Sequence, residues 1–258
     1  KSHNIPVIVD SPEVGENLQD HYQMRVVVRL KENISFNNDV RNPLKLMQMG
    51  ARWLLDSSGP LTVGAGQVGG SACSSYAKND RPDIQFNVMP LSVDKPGVPL
   101  HRYPGFTTSV WQCHPASRGS VQITSKDPTI QPKISPNYFS QSVDRQVLVD
   151  GVKIIREIHS QPAFRDLWIE EKMPGNSDSS DSKIWDQIRH QGGTVFHCVG
   201  TCRMGSDDRA VVDPSLRVKG VEGLRVIDAS VMPKITSANT NAATLMIGEK
   251  GAFEILNS

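Results

Sequence analysis

Glycine and proline interrupt this chain from end to end, 20 glycines and 17 prolines in 258 residues. Proline removes a backbone donor, and glycine loosens helix and strand alike. Such punctuation disfavours a helical bundle and predicts a mixed fold of short strands, loops and a few helices. Hydrophobic residues make up 38% of the chain and charged residues 21%, enough apolar material for a core. The length allows one large domain or two modest ones.

The hydrophobic pattern places the elements. Ile5–Val9 (IPVIV) reads as a buried strand with no lead-in, and the chain begins on Lys rather than Met. Both suggest a fragment or a processed chain. Met24–Leu30 alternates and is β-branched, which predicts a strand. Leu44, Leu46, Met47, Ala51, Leu54 and Leu55 sit at helical spacing and predict a helix over Pro43–Leu55. Gly59–Gly70 reads as a loop. Asp83–Met89, Thr107–His114 and Ser120–Ser125 read as strands, the last two joined by a turn at Ala116–Gly119. Val147, Val149, Val152, Ile154, Ile155 and Ile158 predict a helix over Val143–Gln161. Ser180–His190 reads as a second helix, capped by Asp181 or Ser182. Leu224–Asp228 reads as a short buried strand and Ala242–Leu256 as a final helix, apolar on one face. No internal repeat is visible.

Several function classes fall away. The formal charge is +1, from 28 basic and 27 acidic residues, with no long basic run, so no nucleic-acid partner is expected. No apolar stretch approaches the roughly 18 residues of a membrane span, and residues 1–11 lack the apolar region of a signal peptide. Four cysteines are too few for a disulfide framework. A reduced, cytoplasmic setting is expected, with membrane association left open.

The chemistry concentrates near the end. His197 lies in GGTVFHCVGTCRMG, Gly192–Gly205, where glycines let the backbone approach a planar or anionic ligand. A histidine among apolar neighbours is held neutral and ready to take a proton. It is equally read as a satisfied core histidine. His197, Cys198 and Cys202 also offer metal donors, but the C-x3-C spacing has no second cysteine pair. Buried, inert cysteines are the better reading, and no metal is expected. Ser237–Asn241 (SANTN) precedes the final helix. Its polar residues suit a helix cap, and the helix start would stabilise negative charge on a bound group.

These pieces resemble the C-terminal signature of the glucose–methanol–choline (GMC) oxidoreductases, and look closest to choline and alcohol dehydrogenase-like members. FHCVGTCRMG at 196–205, VVDPSLRVKGVEGLRVIDASVMP at 211–233 and SANTNAATLMIGEKGAFEIL at 237–256 carry the likeness. VGENLQDH at 14–21 is similar to the segment where the family's chain leaves the flavin domain. PASRGSVQITSKDPTIQPKISPNYF at 115–139 is similar to its substrate-domain strand pair. The family is FAD-dependent and oxidises CH–OH groups, passing the hydroxyl proton to a base and hydride to flavin N5.

The resemblance implies an α+β fold: an antiparallel-sheet substrate domain with flanking helices, plus the C-terminal segments of an FAD-binding α/β domain. Residues 1–23 would belong to the FAD-binding domain, 24–190 to the substrate domain, and 191–258 to the return into the FAD-binding domain. His197 matches the catalytic base, and Asn239 its partner, which holds the alcohol oxygen. Asp228 and Ala229 match the segment beside the cofactor pyrophosphate and ribityl chain. Asn241 and Ala242 are similar to residues near the flavin pyrimidine ring. The glutamate that pairs with trimethylammonium in choline-oxidising members has Gln67 at the similar position, and a second active-site histidine is replaced by Asn87. A neutral amide gives a cation no ion pair, so an uncharged alcohol is the expected substrate.

One expected part is missing. The family's N-terminal G-x-G-x-x-G is not present, and Gly64–Gly69 (GAGQVG) fits the pattern without a preceding strand or a following acidic residue. The chain is therefore expected to lack most FAD affinity and to be inactive alone, with the missing N-terminal part as its partner. The electron acceptor stays open. Two other readings remain open as well: a non-catalytic substrate-domain-like binding module, and a zinc hydrolase built on His197 and the nearby cysteines.

Overall fold

The alternation at residues 24–30 becomes an inner strand of the larger sheet, paired on one edge with Gly105–Gln112 and on the other with Trp168–Met173. The structure is a computed structural model that describes residues 3–62, 64, 66–95, 97–175 and 179–257. Its contacts divide the chain into two units, residues 1–22, 113–144 and 194–258, and residues 23–112 and 145–193. The expected run 24–190 is thus interrupted, because 113–144 groups with the two ends of the chain.

In the second unit five strands follow the order β2-β3-β4-β1-β7. They are β1 (Tyr22–Leu30), β2 (Val68–Ala72), β3 (Ile84–Met89), β4 (Gly105–Gln112) and β7 (Trp168–Met173). Every pairing along this path is antiparallel, with Val26 opposite Thr108 and Phe86 opposite Val110. Met24, Val26, Val27 and Val28 are fully buried, as expected for a strand covered on both faces. Helix α3 (Ser142–Ser160) packs on this sheet. A Cβ on Gly151 would come within 2.8 Å of Val110 Cγ2, so the helix approaches the sheet at a distance that only glycine allows. Arg156 of α3 donates from Nε and Nη2 to the two carboxylate oxygens of Glu171 in β7, at 3.0 and 2.7 Å.

Short helix α1 (Phe36–Asp39) precedes α2 (Pro43–Asp56). The Asn42 side chain accepts from the N–H groups of Leu44 and Lys45, with Pro43 in the first turn, and Ser57 closes α2 in the left-handed region at φ 51°. This is a side-chain-capped start and a left-handed stop. Helices α4 (Pro162–Arg165) and α5 (Asp181–Gln191) complete the unit. Ser180, not Asp181 or Ser182, is the N-cap residue of α5.

The first unit holds the hairpin of β5 (Ser120–Gln122) and β6 (Lys133–Ser135) and the final helix α6 (Asn241–Leu256). This hairpin is the strand pair that residues 115–139 resemble. The core of this unit gathers Val199, Val211, Val212, Leu216, Val231, Met232, Ile235 and Ile247. Two expected strands are absent. Residues 5–9 are irregular, with Ile8 88% exposed. Around 224–228 a single bridge, Arg217 to Arg225, is formed. Helix α6 is apolar on more than one face: Leu245, Met246, Phe253, Ile255 and Leu256 are exposed while Ile247 is buried.

Candidate active site

Three segments of the first unit converge on His197. The stretch 17–21 runs alongside 195–200 with Gln19 N–H donating to Val199 O, Val199 N–H to Gln19 O and Val195 N–H to His21 O, at 3.0, 2.9 and 3.1 Å. The Gln19 side chain reaches a third segment, donating to Pro233 O at 3.1 Å and accepting from Ile235 N–H at 3.2 Å. Gly200 makes the close approach possible. It sits at φ 98°, and a Cβ there would fall 2.4 Å from Asn17 O; that left-handed conformation and that gap suit glycine alone.

Asp20 fixes the loop that carries the imidazole. Its Oδ1 accepts from the backbone N–H of His197 at 2.8 Å. Its Oδ2 accepts from Tyr138 Oη and Thr194 Oγ1, each at 2.5 Å. Burial, followed by the hydrogen bond to Asp20, pushes the Tyr138 phenol well above its ordinary range, so it remains a donor. Phe196, directly before His197, is held at φ 62°, a strained conformation for a bulky side chain. Its N–H donates to Thr194 Oγ1 at 2.7 Å.

The imidazole itself is buried. His197 Nε2 lies 3.2 Å from Asn239 Nδ2, and His197 Nδ1 lies 2.9 Å from His21 Nδ1. The His21 and His197 rings meet edge to face, with centroids 5.1 Å apart and an interplanar angle of 83°. Burial lowers the His197 pKa below the ordinary histidine value, against the opposing pull of Asp20. Near neutral pH the ring is therefore uncharged and can accept a proton. A second polar contact lies close by in sequence, where His114 Nε2 and Ser237 Oγ are 3.2 Å apart.

The remaining expected residues divide. Asp228 caps the short 3-10 turn Ala229–Val231, accepting from Ser230 N–H at 2.7 Å, and Ala229 opens that turn. Asn241 and Ala242 begin α6, whose N-cap residue Thr240 makes no side-chain cap bond. Gln67 and Asn87 belong to the second unit. Gln67 borders a cavity of about 220 Å³ with Leu30, Ile34, Val68, Val88 and Phe106 among its lining residues. Asn87 instead packs against Gly66 and Gly69, and strand alternation puts its side chain on the face of β3 opposite Val88. Val68 and Gly69, the last two residues of GAGQVG, lie in strand β2 rather than a helix. Among the described residues no group of three or more His, Cys, Asp or Glu side chains is arranged to hold a metal ion.

The sequence reading assigned no role to Asp20 or His21, although both lie in the quoted VGENLQDH. The signal was an acid and a histidine side by side at the entrance to a strand. Nothing in linear spacing links them to a loop 176 residues away.

The chain is similar to known proteins along almost all of its length. Residues 115–248 match the family model for the C-terminal domain of GMC oxidoreductases. Over 99% of its length the chain is 40% identical to an oxygen-dependent choline dehydrogenase of Klebsiella pneumoniae, covering 46% of that protein. It is 36% identical to an alcohol dehydrogenase [acceptor] of Pseudomonas putida, over 98% of its length and 46% of the relative. The chain thus spans about half the length of the curated relatives it matches. Among solved structures, formate oxidase of Aspergillus oryzae superposes over 98% of the chain and 49% of its own, with a TM-score of 0.89 and 26% identity. Pyridoxine 4-oxidase of Mesorbium loti does so over 98% and 46%, with a TM-score of 0.79 and 25% identity. A family-model match across half the chain, likeness along nearly all of this chain to about half of two dehydrogenases, and a shared antiparallel-sheet fold have one reading: the chain belongs to the GMC oxidoreductase family.

Proposed function

We propose that the complete protein oxidises an uncharged alcohol to an aldehyde or ketone, with FAD as cofactor and His197 as the base. The observation that carries this reading is the pairing of His197 Nε2 with Asn239 Nδ2 at 3.2 Å. FAD, when bound, supplies the acceptor for the hydride that leaves the alcohol carbon. His197 Nε2 takes the hydroxyl proton. The Asn239 amide N–H, which donates to Nε2 in this structure, turns to the alcohol oxygen and orients the C–H bond. Asp20 keeps the imidazole in place through the His197 backbone N–H.

The residues present fit the cofactor. The first turn of α6 has no side-chain cap, so its N–H groups and positive dipole end are available to an anionic group. Asn241 and Ala242 would lie there. Asp228 and Ala229, in the tight turn before Val231, would border the pyrophosphate and ribityl chain.

Helix α6 supports a partner as well. Its exposed Leu245, Met246, Phe253, Ile255 and Leu256 are unusual for a surface helix. A further portion of polypeptide carrying the nucleotide-binding glycines, comparable to the half of the relatives that this chain does not match, would cover them. The substrate reading rests on Gln67 and Asn87, which stand at the positions where choline-oxidising relatives carry a glutamate and a histidine; a neutral amide gives a cation no ion pair.

The test is to express the full reading frame that encodes this chain, record its flavin spectrum, and measure anaerobic bleaching by an alcohol panel. Aliphatic and aromatic alcohols should bleach it with a higher kcat/KM than choline does. A preference for choline would overturn the substrate reading, and no flavin spectrum would overturn the cofactor reading.

A further inference from the structure

We propose that His21 is a positioning residue that holds His197 in the one tautomer able to act as base, with the proton on Nδ1 and none on Nε2. The inference rests on the reading of His197 as base and deepens it.

The assignment follows from two distances and the direction of each bond. His21 Nε2 lies 3.0 Å from Cys113 O. A carbonyl oxygen can only accept, so the His21 proton sits on Nε2. Neutral His21 then presents an unprotonated Nδ1 to His197 Nδ1, 2.9 Å away. Two bare nitrogens at that distance would repel, so His197 Nδ1 carries the hydrogen and donates. Neutral His197 is left with a lone pair on Nε2, which the Asn239 amide N–H meets at 3.2 Å. From Cys113 O to Asn239, each contact has one donor and one acceptor.

The arrangement depends on His21 being uncharged. His21 is fully buried, and burial pushes its pKa down to about 4, against the pull of the Cys113 carbonyl. The charged or titratable groups facing it are His197 and His114, which oppose protonation, and Asp20, which favours it. If His21 took a second proton, both its nitrogens would donate. His197 Nδ1 would then have to accept, and its own proton would move to Nε2, where the alcohol must deliver one. The same contact serves the forward step. When the alcohol O–H breaks and the proton bonds to Nε2, His197 becomes an imidazolium. Its Nδ1–H still donates to His21, now as a charge-assisted bond.

The experiment uses the protein from the full reading frame, labelled with ¹⁵N-histidine. Two-bond ¹H–¹⁵N correlation spectra at pH 7.5 or above read the tautomer, and anaerobic flavin reduction reads the chemistry. In the wild type His197 should appear protonated on Nδ1. His21→Leu should shift it towards the Nε2–H form and lower kcat on the order of 10²-fold, with little change in KM. His21→Asn, which keeps an acceptor oxygen near the Nδ1 position, should restore the Nδ1–H form and most of the lost rate. A wild-type His197 protonated on Nε2, or a His21→Leu protein with both the wild-type tautomer and the wild-type kcat, would overturn the proposal. If His21→Leu does not fold, the wild-type spectrum and His21→Asn still decide it. Unchanged flavin reduction in His197→Ala would instead remove the base reading and leave the tautomer result standing by itself.

Discussion

At the scale of single residues, Asp20 does more for the site than its acidity suggests. One carboxylate accepts from the His197 backbone, Tyr138 and Thr194, and it is 4% exposed. Asp20→Ala strands a phenol, a hydroxyl and a buried amide. The expected loss is about 4.5–9 kcal/mol, since each of the three bonds to a charged group is worth about 1.5–3 kcal/mol. Asp20→Asn, which retains an acceptor oxygen, should lose clearly less. Urea denaturation of the two variants beside the wild type checks this, and equal midpoints for all three would refute it. The residues of the site were unevenly legible. His197 and Asn239 stood out because motif resemblance marks both. Asp20 and His21 did not, because their roles exist only once residues 19–21 and 195–199 lie side by side.

Among the elements, α6 offers an internal control. A Cβ on Gly251 would sit 2.2 Å from Ile227 Cγ2, while one on Gly248 would meet nothing within 4 Å. Helix propensity favours alanine over glycine by about 1 kcal/mol at both positions. Gly248→Ala should therefore stabilise the chain by about 0.5–1 kcal/mol. Gly251→Ala should destabilise it by about 1–3 kcal/mol through overpacking, and adding Ile227→Ala should relieve that clash. Thermal unfolding of this chain separates the cases; a shared sign for the two single variants would contradict the packing account. The sequence predicted α2, α3 and α6 to within two residues at either end, because α2 and α3 carry a long apolar periodicity and α6 is an apolar run that follows the polar SANTN segment. It missed β2 and β7, and periodicity did not show β6, which only the resemblance of 115–139 to a strand pair implied. β2 is VGGSA, whose two glycines read as loop. β6 is three residues long, and β7, WIEEKM, is polar enough to hide its pairing. IPVIV failed the other way: its apolar run has strand character but no partner among the described residues.

For the whole molecule, buried histidines tie stability to pH. His159 lies 2.9 Å from Thr108 Oγ1, and burial pushes its pKa down to about 4 from the ordinary histidine value of 6.5. His21 is displaced to the same extent, also mainly by burial. In the unfolded chain both histidines bind protons as pH falls below about 6.5, whereas the folded chain resists until about 4. Their neutral, buried state is therefore fully tolerated above pH 6.5, and stability drops between about 6.5 and 4. Each contributes roughly 3 kcal/mol to that drop. Urea midpoints at pH 7.5, 5.5 and 4.5 should fall in that order, and His159→Gln should flatten the trend. A midpoint unchanged across the window would refute the assignment.

The two-unit division was only half legible at this scale. Composition and resemblance marked a sheet-bearing middle and a glycine-rich return, but the hairpin at 113–144 groups with the chain ends through contacts that no local pattern announces. Residues 20–21, 113–114, 138, 194–197 and 237–239 all fall within that one unit, so the proposed base, its partner and its supports share a single framework. If His197 takes the alcohol proton, its loss slows the reductive half-reaction, read by stopped-flow, single-turnover flavin reduction in His197→Ala made in the full-length protein. The rate constant should fall by about two to four orders of magnitude at saturating alcohol. A rate constant equal to that of the wild type would contradict this role for His197.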